Sequence, residues 1–275
     1  MSLEVLWEQD GLPAVALPES LRAFYAGNLG FTRECVYANF VETLDGVVAI
    51  PDIERSNALV ADGSDDDKHL MGLLRAFADA VLIGSHTLRA SPKGRWRPEG
   101  VYPAEKDAFA ELRAQLGKAE RATVAVVTTG VSLDVSHPVL ADAVVLTTDA
   151  GAALLGDSVP NIVVVNEGGW VDLRAAVAWL RAQGNAQILA EAGPMTFGEL
   201  VAAGLVDELF LTVSPVLAGR SAAGRRFGLI EETALLPDTR VGATLRSVRR
   251  GAEHLFLRYG LGLTPRAAGW VSDPA

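Results

Sequence analysis

An α/β fold, with a mixed, mostly parallel sheet of about eight strands, helices on both faces and a C-terminal antiparallel hairpin, follows from three features of the 275-residue chain. Five short apolar runs rich in Val and Leu, "AVLIG", "TVAVVTT", "AVVLTT", "NIVVVN" and "ILAE", do not alternate with polar residues, the pattern of strands buried on both faces. Segments with apolar residues at helical spacing separate several of them. Near the end, "RVGATLRSVRR" and "EHLFLRYGL" alternate apolar and polar residues about a Gly-Ala turn, which predicts the hairpin.

Taken in order, residues 1–34 form an N-terminal extension packed on the main body, with one helix opened by Pro18 and Glu19 and stopped by Gly27. The main domain, 35–264, begins with the strand "CVYANFV", a "TLDG" turn in which Gly46 supplies the permissive backbone, and a resumed strand "VVAI" broken by Pro51. Leu70, Leu73, Leu74 and Phe77 then recur at helical spacing behind Ser64 and three aspartates, which suit an N-cap and the positive end of the helix dipole. After "AVLIG" come a loop containing "SPKGRWRPEG", a helix "AEKDAFAELRAQLG" and three Val-rich strands. The helix "DLRAAVAWLRAQG" ends at Gly184, and residues 188–217 read as strand, turn, helix and strand. The hairpin follows as the sheet edge, and 265–275 form a loose tail. No polar linker or internal repeat divides the chain, and 49% hydrophobic residues are ample for one core.

Composition narrows the function. A formal net charge of −10 repels a phosphate backbone, and no block of Lys and Arg offsets it, so no nucleic-acid partner is expected; a small anion remains admissible beside Arg75, Arg89 or Arg95. No apolar run approaches the roughly 20 residues that span a bilayer, the N-terminus lacks a signal-peptide pattern, and the single Cys35 sits in an apolar run. Together these predict a cytoplasmic protein with no membrane partner. The phosphate loop G-x-x-x-x-G-K-[ST], the G-x-G-x-x-G fingerprint and the G-x-S-x-G elbow are all absent. The four histidines have no metal-ligand spacing, so no metal site is expected.

In an open α/β sheet, ligands bind beyond the carboxyl ends of the strands. Small and hydroxylated residues recur there: Ser85, His86 and Thr87; Gly130, Val131 and Ser132; Asp149 and Gly151; Ala192, Gly193 and Pro194. Loops of this kind leave backbone amides free, and the start of the helix after Gly193 suits a diphosphate. Glu191 ends an apolar strand and points a carboxylate into the same crevice.

Three ordered stretches, "NFVETLDGVVA", "LLRAFADAVLIGSHTLRASP" and "ILAEAGPMTFGELVAAGLVDELFLTVSPVLAGR", together resemble the reductase domain of the bifunctional riboflavin-biosynthesis deaminase/reductase, a family with the dihydrofolate-reductase fold. The match runs from about Cys35 to Tyr259. The chain has Ala192, Met195 and Thr43 where the family has Gly, Thr and Ser, and Ser91 where it has an acidic residue. The resemblance implies a dihydrofolate-reductase-like sheet, NADPH as cofactor, and hydride delivery to a ribosylamino-pyrimidine. Carried over, Gly84, Thr87, Ser91, Ala192, Gly193, Met195 and Thr196 would bind the cofactor, with Thr129 and Ser132 near its adenosine end. Arg75 and Glu191 would bind substrate, with Asp45 and Asp67 as further candidates; no proton-transfer residue is assigned. Relatives pair through the C-terminal region, and "HLFLRY" as an apolar edge strand points the same way, to a homodimer. Two other readings stay open: a nucleotide-binding regulatory protein without turnover, and a reductase of another heterocycle such as a dihydropterin or dihydrofolate.

Overall fold

The computed structural model describes residues 2–51, 53, 56–221 and 224–263. Its strands are β1 (Glu4–Glu8), β2 (Cys35–Glu42), β3 (Ala80–Gly84), β4 (Thr123–Val127), β5 (Val144–Thr148), β6 (Ile162–Asn166), β7 (Gln187–Ala190), β8 (Glu208–Val213), β9 (Val241–Gly251) and β10 (His254–Leu263). The helices are α1 (Glu19–Tyr25), α2 (Ser56–Val60), α3 (Asp65–Phe77), α4 (Ser85–Ala90), α5 (Pro98–Val101), α6 (Lys106–Gln115), α7 (Asp149–Leu155), α8 (Leu173–Ala182) and α9 (Pro194–Ala202).

Ten strands form one sheet in the order β1-β9-β10-β8-β2-β7-β3-β4-β5-β6. From β2 to β6 and on both sides of β7 the pairing is parallel, as is β2 with β8; β10, β9 and β1 add antiparallel strands. The expected mixed, mostly parallel sheet with helices on both faces and a C-terminal hairpin is therefore the one observed. Successive strand residues feed opposite cores. Tyr37, Val81, Ile83 and Leu189 pack with Leu73 and Leu74 of α3, Phe109 of α6 and Leu21 of α1. Val36, Ala38, Leu82 and Ile188 pack with Val177 and Leu180 of α8 and Phe197 and Leu200 of α9. Burial on both faces is what removed the polar alternation from these strands.

Four expectations need correcting. The terminal hairpin is not the sheet edge: β10 is paired on both sides, with β8 and β9, and the edge is β1, supplied by the N-terminal segment. "EVLWE" is too short to announce itself against a helical neighbour. Residues 47–50 do not resume a strand. Gly46 at φ 76 turns the chain away, and only Ala49 bridges, to Phe227. The segments after β3 and β5, read as loops, wind at once into α4 and α7. Finally, α5 interrupts the loop after Pro92, where Pro98 occupies the first helical position, suited to its fixed φ. The tail lies outside the described residues. Among those residues, no helix is long and apolar enough to cross a membrane.

Candidate active site

From β3 the chain runs outward through β4, β5 and β6, then returns to insert β7 between β2 and β3, and places β8 on the far side of β2. This reversal of strand order opens a crevice at the carboxyl ends of β2, β7 and β3. A cleft of about 210 Å³ lies there, lined among others by Asn39, Asp67, Arg75, Trp96, Glu191 and Gly193. It continues outward into a space of about 530 Å³ past Lys68, Lys93 and Arg95. Ser64 starts α3 by accepting the Asp67 amide on its hydroxyl, and helical periodicity then puts Asp67, Met71 and Arg75 on the cleft face at four-residue spacing.

Arg75 and Glu191, assigned separately to substrate in the sequence, meet each other. The guanidinium Nε donates to Oε1 at 2.8 Å and Nη2 to Oε2 at 2.6 Å, while Nη1 donates to the Arg97 carbonyl at 3.3 Å. Only 11% and 10% of their side chains are exposed. A ligand entering the cleft therefore meets a fixed, net-neutral fork. Asp67 is different. It is buried, and its Oδ1 has no hydrogen-bond partner. Burial pushes its carboxyl up to about 6 from 3.8; the Glu191 carboxylate adds to the rise, and the Thr212 hydroxyl, His254 and Lys68 oppose it. Asp45 is not among the residues lining the cleft. Its oxygens accept from the Thr43 hydroxyl at 2.6 Å and from the amides of Ala218 at 3.0 Å and Gly219 at 2.8 Å. Those bonds, the Thr43 one foremost, hold its carboxyl down to about 2. Asp45 ties the "TLDG" turn to the segment after β8.

The cofactor-binding candidates gather beside the fork. Gly84 is the N-cap of α4 and Gly193 that of α9, and neither helix start has a side-chain cap. In contrast, Ser64, Thr148 and Asp172 cap α3, α7 and α8. These two glycine starts face one another: a Cβ on Gly84 would lie 3.3 Å from Thr196 Oγ1, and one on Gly193 would lie 3.7 Å from Thr87 Oγ1. Gly193 has φ −68, open to any residue, so its lack of a side chain matters for space and not for backbone. Ala192 is buried and has no positive φ, so alanine stands there without strain. Ser132 Oγ lies 3.2 Å from Ser85 Oγ, which brings the end of β4 to the start of α4. Thr129 abuts the start of α7, its carbonyl 2.9 Å from where a Gly151 Cβ would stand. Met195 is half-buried in the first turn of α9. Glycine caps, free amides and two threonine hydroxyls make a cradle that fits a diphosphate.

Ser91 lines the cleft and its carbonyl accepts from His137 Nε2 at 2.9 Å. His137 Nδ1 accepts the Val139 amide, which leaves the proton on Nε2. This anchors a loop that carries Trp96, a buried wall of the cleft held at φ 48, a costly backbone for so bulky a residue. Trp96, Met71 and Asn39 escaped the sequence reading as site residues. Met71 sits on the same helical stripe as Asp67 and Arg75, which was the available signal; Asn39 was hidden within an otherwise apolar strand.

Residues 34–255 match the model of the RibD C-terminal domain. A pyrimidine reductase-like protein from Corynebacterium diphtheriae superimposes with a TM-score of 0.67 at 20% identity, covering 88% of this chain and 98% of that one. RibD from Acinetobacter baumannii gives 0.60 at 17% identity, over 83% of this chain and 58% of that one. The riboflavin biosynthesis reductase Rib7 of Saccharomyces cerevisiae gives 0.55 at 14%, over 90% and 95%. At these identities the likeness is one of fold, and no curated protein matches the chain. Since the match takes in β2 through most of the sheet and every residue of the cleft, the chain belongs to the RibD C-terminal domain family.

Proposed function

We propose that the protein is an NADPH-dependent reductase of a ribosylamino-pyrimidine, acting as a homodimer. The observation that carries this reading is the pair of glycine-capped helix starts facing each other beside the cleft. The amides of Met195 and Thr196 and the hydroxyls of Thr87 and Thr196 would hold the diphosphate, and Thr129 and Ser132 would lie toward the adenosine. NADPH supplies the hydride. The chain supplies position and charge: Trp96, Met71 and Phe40 wall the heterocycle from water, and the Arg75–Glu191 fork fixes its orientation.

Reduction of a C=N bond adds a proton as well as a hydride. Asp67, buried at the cleft and held near 6, is placed to keep that proton at its carboxyl oxygen close to neutral pH. The same carboxyl favours one second reading, reduction of a dihydropterin-like heterocycle, which needs the same proton. Calorimetric titration with NADPH tests the proposal, and Gly193→Val is the control. Val adopts the backbone there but fills the cradle, so binding should fall at least a hundredfold with melting unchanged. Equal binding by the variant would place the diphosphate elsewhere.

A further inference from the structure

Strand β8 carries a hydroxyl into the apolar layer beneath α3. Phe210 packs there with Leu70, Leu73 and Leu74, and strand alternation puts Thr212, two positions on, on the same face. Thr212 stands opposite Val41 of β2 on one side and Phe256 of β10 on the other, and it is wholly buried. Its Oγ1 has no hydrogen-bond partner among the described residues. Burying a hydroxyl unpaired is costly, and valine would fill the same space without that cost. Asp67 supplies the missing partner. Its Oδ1 is likewise buried and unbonded, and among the groups that oppose the rise its burial causes, the Thr212 hydroxyl is foremost. The other groups around this carboxyl are committed: Lys68 to Asp65 and the Gly63 carbonyl, Arg75 to Glu191 and the Arg97 carbonyl, His254 Nε2 to the Ala61 carbonyl. We propose that Thr212 is a positioning residue whose hydroxyl donates to Asp67 Oδ1, which keeps the acid proton on Oδ2 and supports the carboxylate once that proton has left.

The chemistry follows from the two oxygens of the acid. A protonated carboxyl has one O–H and one carbonyl oxygen, so a donor held at Oδ1 makes Oδ1 the carbonyl and leaves the proton on Oδ2. Oδ1 is closed to solvent, and a proton placed there would have no path to a ligand in the cleft that Asp67 lines. In the reduction proposed above, the Oδ2–H bond breaks as the nitrogen of the C=N bond takes the proton and its carbon takes the hydride. Asp67 is left as a carboxylate, and water returns the proton. A carboxylate is the stronger acceptor, so the Thr212 bond tightens as the charge appears. For its use in turnover the inference rests on the reductase reading, but the bond itself needs no cofactor.

The test follows the Asp67 carboxyl carbon by NMR as pH is raised, its signal assigned by its loss in Asp67→Asn. Thr212→Val keeps the shape and removes the donor. In that variant Asp67 should titrate about one pH unit higher than in the parent, a roughly tenfold weaker acid, because only the charged form loses a strong bond. Thr212→Ser should return the titration to the parent's position. Melting at about pH 5, where the carboxyl is protonated in both, should stay level, as no other bond is removed. If the valine variant does not fold, Thr212→Ala, which also lacks the hydroxyl, reads the same titration. A titration that does not move without the hydroxyl, or that serine fails to restore, overturns the inference. Failure of NADPH to bind alongside a shifted titration would sink the reductase reading and leave the Thr212–Asp67 bond standing; NADPH binding alongside an unmoved titration would do the reverse.

Discussion

At the level of single residues, the cleft contains two kinds of carboxylate. Glu191 is satisfied by a fork from Arg75, so removing its charge strands a guanidinium that is almost wholly buried. Glu191→Gln should cost about 2 kcal/mol of stability, and about a hundredfold in kcat/KM, equivalent to about 2.7 kcal/mol. Replacing both partners, Arg75→Met with Glu191→Leu, should recover the stability but not the turnover; recovery of both would make the pair purely structural. Asp67 has one oxygen, Oδ1, without a partner, and its raised value has a sign that urea unfolding can read. The folded chain holds a proton between pH 3.8 and about 6 that the unfolded chain releases. Its stabilising contribution is full below that window and lost as pH rises through it. Asp67→Asn should therefore gain on the parent as pH rises, by up to about 3 kcal/mol at pH 7.5. A gain that is flat from about pH 4 to pH 7.5 would mean the carboxyl titrates normally.

Among the elements, the helix starts near the cleft differ in how they are capped. Thr148 caps α7 by accepting the Gly151 amide at 3.0 Å, whereas α4 and α9 begin on glycines with no side-chain cap. Thr148→Ala should thus lower stability by about 1 kcal/mol and leave NADPH binding untouched, the reverse of Gly193→Val. If the Thr148 variant loses cofactor affinity with no loss of stability, α7 belongs to the site and not to the scaffold. Legibility varied in the same way. The α3 cap and apolar stripe, and the Gly184 stop, were plain because each is decided within one turn of chain. The short helices α4 and α7 were read as loops because their six and seven residues are too few to show a period.

For the whole molecule, the antiparallel end of the sheet matters most. Because β10 is interior, the argument for a dimer moves from an open edge to a face, where Leu211, Val241, Tyr259 and Leu261 remain only partly buried against their core. A second copy laid on that face would cover them, and sedimentation should show a species of twice 29.0 kDa at micromolar concentration. Leu261→Arg should give a folded monomer. A parent protein that sediments only as a monomer would remove the dimer from the proposal.

The sequence by itself determined the α/β class, the both-faces burial of the central strands, the hairpin and the Gly-Pro helix start after β7, because each depends on neighbours a few residues apart. It also placed Glu191 and Arg75 in the same crevice through the family likeness. Only the tertiary structure decided that these two neutralise each other, that Asp45 serves a loop, that β1 and not β10 closes the sheet, and that Asn39 joins Asp67 at the cleft floor. Arg75 and Glu191 stand 116 positions apart, and β1 meets β9 across more than two hundred. Pairings at such separations are set by strand order and burial, which no local pattern encodes.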